Sequence, residues 1–306
     1  MSTPLQYRPD LEGLRCVAVL PVIFFHLGTL GVSGGFVGVD VFFVLSGYFI
    51  TRRILADLAE DRFTLLGFYE RRIRRLFPAL FVLLASTALA AIVFLAPDEL
   101  KRFGYTLVAA ALSLSNFVFW RESGYFAPDS DTFPLLHTWS LAVEEQFYVL
   151  FPVFLIMVWR LFRARISIAI LALIAVSFLA SVLLTQAAPE FAFYLLPTRL
   201  WELGLGALLA ARGVPSPISI WSRNLVAVVG LAAIAVAIIS FSEDTPFPGV
   251  AALIPCLGCG LVILANETNE GRQSDRGLKS PWVTKILSWA PLVFIGKISY
   301  SLYLWH

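Results

Sequence analysis

The sequence predicts an all-α integral membrane protein, a polytopic helical bundle of about nine to ten transmembrane segments with a re-entrant segment near 103–120. Three observations carry that prediction. Of 306 residues, 58% are hydrophobic and only 14% are charged, whereas soluble domains are about one quarter charged. Apolar runs long enough to span a bilayer recur near 16–32, 36–56, 78–96, 140–159, 166–185, 193–211, 224–241, 249–265 and 286–306. The short segments of strict apolar–polar alternation that mark a membrane β-barrel are absent from the sequence.

The first run is too long for a signal-peptide core, carries Arg15 and His26, and lacks a small-residue cleavage site, so it reads as the first membrane helix. Basic residues favour cytoplasmic loops. The densest basic stretch, "YERRIRRLFP", lies between the second and third runs, and Arg52 and Arg53 close the second. Placing these inside puts the N-terminus inside, sends the first helix out and returns the second. The third then exits near "APDEL". A full span at 103–120 would put "WRLFRAR" outside, against the charge bias. A re-entrant or interfacial segment keeps "WRLFRAR", Arg212 and "NETNEGRQSDRGLK" inside and leaves "PDSDTFPLLHTWSLAVEEQ" outside. The final run stops at "SLYLWH" with no polar tail, which reads as an incomplete version of a longer protein. No repeat or linker divides residues 1–306, so one membrane domain is expected.

Several function classes fall away at this level. A net charge of +2 offers no basic field for nucleic acid. Three cysteines make no disulfide framework, and Cys256 and Cys259, inside an apolar run, read as helix packing. The sequence has no P-loop, dinucleotide fingerprint, nucleophile elbow or His-Glu metal motif, and no metal is expected.

Ionisable residues inside membrane segments cost roughly 2.5–3.5 kcal/mol each on insertion scales, so each invites a functional explanation. Arg15 and His26 are eleven residues apart, close to three helical turns, which places them on one face about 16 Å apart. Pro21 between them should kink the helix. One explanation is a snorkelling arginine and a packing histidine; the other is a catalytic pair, with Asp40 at a depth suited to orienting His26 as a general base. "ERRIRRLFP" holds two Arg-x-x-Arg pairs, Arg71 with Arg74 and Arg72 with Arg75, spaced for forked binding of phosphate oxygens or for anchoring to lipid phosphates. "LLHTWSLAVEEQFY" sets His137 and Glu144 on one helical face, with Glu145 adjacent; an interfacial helix cap is the plainer explanation. Arg199 and Glu202 in "TRLWELGLG" read first as a structural ion pair.

Taken together, "RPDLEGLRCVAVLPVIFFH", "GGFVGVDVFFVLSGYFIT", "FYERRIRRLFPAL", "PLLHTWSLAVEEQFY", "RLWELGLGALLA" and "ISYSLYLWH" resemble the bacterial acyltransferase family 3 membrane proteins, in order and over the whole chain. The nearest type is the O-acetyltransferases of O-antigen and peptidoglycan. The resemblance implies that residues 1–306 are an acyltransferase family 3 transmembrane domain in the bacterial inner membrane. It implies transfer of an acyl group, usually acetyl, from cytoplasmic acetyl-CoA or another acyl-CoA to a glycan of the cell envelope: lipopolysaccharide O-antigen, peptidoglycan or exopolysaccharide. An SGNH domain, in cis or in trans, is an implied partner alongside the lipid bilayer. The family's Arg-x10-His motif falls on Arg15 and His26, its Arg-x-x-Arg motif within Arg71, Arg72, Arg74 and Arg75, and its glutamates on Glu144 and Glu145. The expected roles follow: the arginine cluster holds CoA phosphates, Arg15 adds charge at the donor end, and His26 is the general base or acyl carrier. Glu144 and Glu145 are expected at the outer end of the path. The competing readings are a carrier of a small anion or acyl group without transferase chemistry, and an assembly subunit whose enzyme lies elsewhere.

Overall fold

The computed structural model describes residues 7–29, 31–122, 133–212, 219–266 and 281–306. Every regular element among them is helical. In chain order these are α1 (Pro9–His26), α2 (Gly38–Ala59), α3 (Leu65–Phe94), α4 (Pro97–Ala111), α5 (Ser115–Glu122), α6 (Thr138–Phe162), α7 (Ile166–Ala187), α8 (Pro189–Tyr194), α9 (Leu196–Arg212), α10 (Ile220–Ser240), α11 (Leu253–Ala265), α12 (Trp282–Leu287) and α13 (Ala290–Trp305). Most of "NETNEGRQSDRGLK", and residues 128–132 of the loop expected outside, fall beyond the described residues.

The protein is a multi-pass membrane protein. Four helical stretches among the described residues, Gly35–Ala59, Leu65–Phe94, Thr138–Ala187 and Ile220–Ser240, are long and apolar enough to cross a bilayer. The third is 50 residues long, far more than the ~20 one crossing needs; it holds α6 and α7, joined by a 3₁₀ turn at Arg163–Arg165. Other runs expected to span form helices that are shorter or more charged: α1 carries Asp10, Glu12 and Arg15 in 18 residues, and α9, α11 and α13 have 17, 13 and 16 residues. The outward surfaces of α3 and α7 are apolar, with Leu89, Ile92, Val93, Val176 and Leu179 exposed, as lipid contact requires.

The arginine cluster sits on α3 itself. Thr64 caps that helix, its hydroxyl accepting from Gly67 N at 3.3 Å. Thirty residues of α-helix span about 45 Å, more than the ~30 Å hydrocarbon core. That excess length leaves room for the first turns, which carry the arginines, to lie beyond it.

The segment expected to be re-entrant is a broken helix. α4 and α5 meet at a turn in which Ser113 takes φ +58°. Gln146 of α6 donates to Ser113 O at 3.0 Å and to Asn116 Oδ1 at 2.8 Å, and Asn116 donates to Tyr194 O at 3.1 Å. These amides satisfy backbone groups that an unbroken helix would have paired internally.

Two close crossings set the frame. α2 packs along α9, and α1 along α13. In the first, a Cβ added at Gly206 would lie 1.8 Å from Val44 O, and one at Gly47 would lie 1.8 Å from Leu203 O; in the second, a Cβ at Gly296 would lie 1.8 Å from Glu12 O. Backbone therefore rests on backbone at each crossing, the geometry small residues allow in membrane helices. Gly206→Val should destabilise the detergent-solubilised protein at the upper end of the ~1–3 kcal/mol typical of overpacking. Gly104→Ala, whose new Cβ meets nothing within 4 Å, should leave the thermal midpoint unchanged or slightly raised.

Candidate functional site

The ionisable residues gather around two cavities. The first, of about 340 Å³, is walled by α1, α2, α3, α6 and α13. It receives Arg15, Arg53, Arg72 and Arg75, with Glu12 and Glu144 as its carboxylates. Four arginines against two carboxylates make it a positively charged pocket suited to a polyanion.

Helical register decides which arginines reach it. Arg72 and Arg75, three residues apart on α3, face the cavity. Arg72 lies over the ring of Tyr148, 4.9 Å from its centroid. Arg71 instead turns to Asp57 of α2 at 3.3 Å, beside Arg53 at 3.1 Å from the same carboxylate oxygen. Arg74 pairs with Glu70 at 2.7 Å and is 79% exposed. Of the two Arg-x-x-Arg pairs, only Arg72 with Arg75 lines the pocket; the other pair points to a neighbouring helix and to the surface.

Arg15 donates to Glu12 at 3.2 Å. Glu144 accepts hydrogen bonds from the hydroxyls of Ser46 and Tyr148. Glu144 lines the same cavity as Arg15, Arg72 and Arg75. Two turns of α6 separate it from His137, and the two residues line different cavities. Glu145 lines a minor cleft of about 20 Å³ with Leu76, Phe77 and Tyr300. It is not among the residues that line the histidine cavity.

The second cavity, about 980 Å³, gathers all three histidines, with Trp139 and Arg199 in its wall and Glu190, Glu243 and Asp244 among its carboxylates. The ring centroids of His26 and His306 are 4.8 Å apart, and those of His137 and His306 are 5.3 Å apart. His26 Nδ1 is 2.9 Å from Val22 O, and His306 Nδ1 is 2.6 Å from Tyr303 O. A carbonyl only accepts, so each Nδ1 carries the proton and each Nε2 keeps its lone pair in the neutral ring. His137 Nε2 is buried without a hydrogen-bond partner.

Tyr303 and Val39 line both cavities and form the wall between them. The Tyr303 hydroxyl is 2.6 Å from Ser140 Oγ and donates to His137 O at 3.1 Å, which ties α13 to the first turn of α6. α1 runs beside both spaces, with Arg15 on the first and His26 on the second, so the eleven-residue spacing spans the wall.

Asp40 does not orient His26. Its carboxylate turns toward α9, where Arg199 Nη1 donates to Asp40 Oδ1 and Glu202 Oε1, each at 2.7 Å. All three residues are buried to 1% exposure or less. Arg199 also donates through Nε to Phe193 O at 3.1 Å and sits among the rings of Phe43, Trp139, Phe193 and Phe247. Asp40, Glu202 and Cys256 bring potential metal-ligand atoms within 4.8 Å of one another, but Arg199 already engages both carboxylates, so the cluster reads as an ion triad. Cys256 and Cys259 are buried in the core beside α2.

Sequence reading missed Glu12, Ser46, Tyr148 and Tyr303 as cavity residues and gave His306 no role. Ser46 and Tyr303 sit singly in apolar runs, where no spacing distinguishes a lining residue from a packed one.

A helical membrane bundle with a polyanion pocket set against a histidine-lined space is an architecture suited to passing a group from one compartment to another. The chain belongs to acyltransferase family 3: the family described as an acyltransferase domain matches residues 8–306. Among curated relatives, proteins of Staphylococcus aureus strains MSSA476 and MRSA252, each named "Putative O-acetyltransferase", are 33% identical over 99% of this chain and 50% of their own length. The protein named O-acetyltransferase OatA from S. aureus strain NCTC 8325 is 31% identical over 98% of this chain and 50% of its own. The chain thus spans about half the length of the curated relatives it matches. No solved structure matches it.

Replacing Arg199 with Met strands two buried carboxylates. It should destabilise the protein by about 3–5 kcal/mol, read as a lower thermal midpoint in detergent. Adding Asp40→Asn and Glu202→Gln to that variant should restore part of the loss.

Proposed function

We propose that the chain is the membrane domain of an O-acyltransferase that moves an acyl group, acetyl by the names of its relatives, from cytoplasmic acyl-CoA to a hydroxyl of a cell-envelope glycan. The observation that carries this reading is the placement of Arg15 and His26 on either side of the wall at Tyr303. A polyanionic donor suits the arginine pocket, and a base suits the far side. Arg72, Arg75 and Arg15 would hold the phosphates of CoA through charge-assisted hydrogen bonds. The acyl thioester would pass the wall toward His26, whose Nε2 is the available base or nucleophile.

In this reading the protein lies in the bacterial inner membrane with its N-terminus and the arginine pocket on the cytoplasmic side. The shorter helices α1, α9, α11 and α13 complete the crossings, and the broken α4–α5 segment enters without spanning. The acceptor is a sugar hydroxyl of O-antigen, peptidoglycan or exopolysaccharide, reached directly or through an SGNH domain.

In cells expressing the complete reading frame, His26→Ala at matched membrane abundance should abolish acyl ester on envelope polysaccharide and the CoA thiol released with it. Undiminished ester would sink the assignment. Thiol release in proportion to ester also separates a transferase from a carrier. Arg72→Gln and Arg75→Gln should each weaken CoA binding by about 1.5–3 kcal/mol, whereas Arg74→Gln, already on Glu70, should change it little. Unchanged affinity in Arg72→Gln and Arg75→Gln, measured by calorimetric titration of protein still inserted, would return the cluster to lipid anchoring.

A further inference from the structure

His26 cannot supply all the proton chemistry of a two-step transfer. If its Nε2 takes the acyl group, that lone pair is spent, and Nδ1 is already protonated against Val22 O. The acceptor hydroxyl must still lose a proton when it attacks, so a second base is needed within reach of the same acyl carbon.

We propose that His306 is that base, and that the paired imidazoles divide the reaction between them. This rests on the O-acyltransferase reading above and adds a residue to which nothing in that reading gives a role. His306 lines the same cavity as His26, its ring 4.8 Å away, and its Nδ1 is held by Tyr303 O at 2.6 Å so that Nε2 keeps its lone pair. It lies one turn beyond Tyr303 on α13, and the bond between Tyr303 and Ser140 fixes that turn against α6. The charged and titratable groups that line the cavity with it are His26 on α1, His137 before α6, Tyr303 on its own helix, Glu190 and Tyr194 on α8, Arg199 on α9, and Glu243 and Asp244 after α10.

The steps balance. His26 Nε2 bonds the acyl carbon, the carbon–sulfur bond breaks, and CoA leaves as the thiolate, giving an acyl-imidazolium. The acceptor oxygen then bonds the acyl carbon while its proton passes to His306 Nε2. The carbon–nitrogen bond breaks, and its electron pair returns to His26. His306 gives up its proton to solvent, the thiolate takes one up, and the sum is ester plus CoA thiol.

The test uses membranes from cells expressing the complete reading frame, which carry the native acceptor, with acetyl-CoA labelled in the acetyl group. Thiol release, label on the protein and label on polysaccharide are followed together. His306→Gln should release one equivalent of thiol per protein, retain label on the protein and lower polysaccharide ester at least a hundredfold. Added imidazole should restore part of that ester, with a pH profile shifted toward that of the added base. His26→Gln should give neither thiol nor labelled protein. His306→Asn with CoA affinity equal to the native protein guards against a folding defect. Native ester rates in His306→Gln and His306→Asn would overturn the proposal while leaving the O-acyltransferase reading intact. Loss of the thiol burst together with ester, at unchanged CoA affinity, would also overturn it, because His306 would then be needed before the acceptor attacks. Ester formation in His26→Gln would instead remove the reading on which the proposal rests.

Discussion

One guanidinium holds the centre of this bundle. Arg199 joins Asp40 of α2 to Glu202 on its own helix α9, with all three residues out of water. In an apolar interior an unpaired charge would be prohibitive, so Asp40 and Glu202 are buried against Arg199. The triad also fixes register. α2 and α9 must meet at the height where Asp40 faces Arg199, and that places Gly47 and Gly206 where backbones can touch. Ser46 and Arg53 on α2, and Trp139 packed against Arg199, take their positions from that crossing.

The two cavities follow from the frame. α1 is held against α13 by a close backbone approach at Gly296, so one face of α1 looks into both spaces and α13 supplies the wall. Tyr303 is suited to that wall because its ring fills space while its hydroxyl bonds Ser140 and His137 O on α6. An arginine-lined pocket and a histidine-lined cavity thereby lie back to back, with Tyr303 and Val39 in the wall between them.

Much of the site is legible in the amino-acid sequence. Charges in apolar runs are costly, so Arg15, His26, Glu144 and the α3 arginines identify themselves. The eleven-residue spacing gives the shared face of α1, because helical period alone sets it. Asp40 misleads for a physical reason: its depth in the membrane is readable, but the direction of its side chain depends on which helix lies beside α2. The same limit applies to Glu144, whose helical face is readable but whose cavity depends on which helices lie beside α6. The three histidines are far apart in sequence and follow no motif, so only the meeting of α1, α6 and α13 reveals them as a cluster.

The sequence by itself determined the helical membrane class, the apolar segments and the ionisable residues that needed an explanation, because hydropathy and helical period are local properties of the chain. Tertiary structure decided which of these residues share a compartment: Arg72 and Arg75 rather than Arg71 and Arg74 in the pocket, Arg199 rather than His26 as the partner of Asp40, and His306 beside His26. Those choices rest on helix-to-helix contacts between distant segments. An ion pair or a backbone crossing can fix such contacts, but the spacing of residues along one helix cannot.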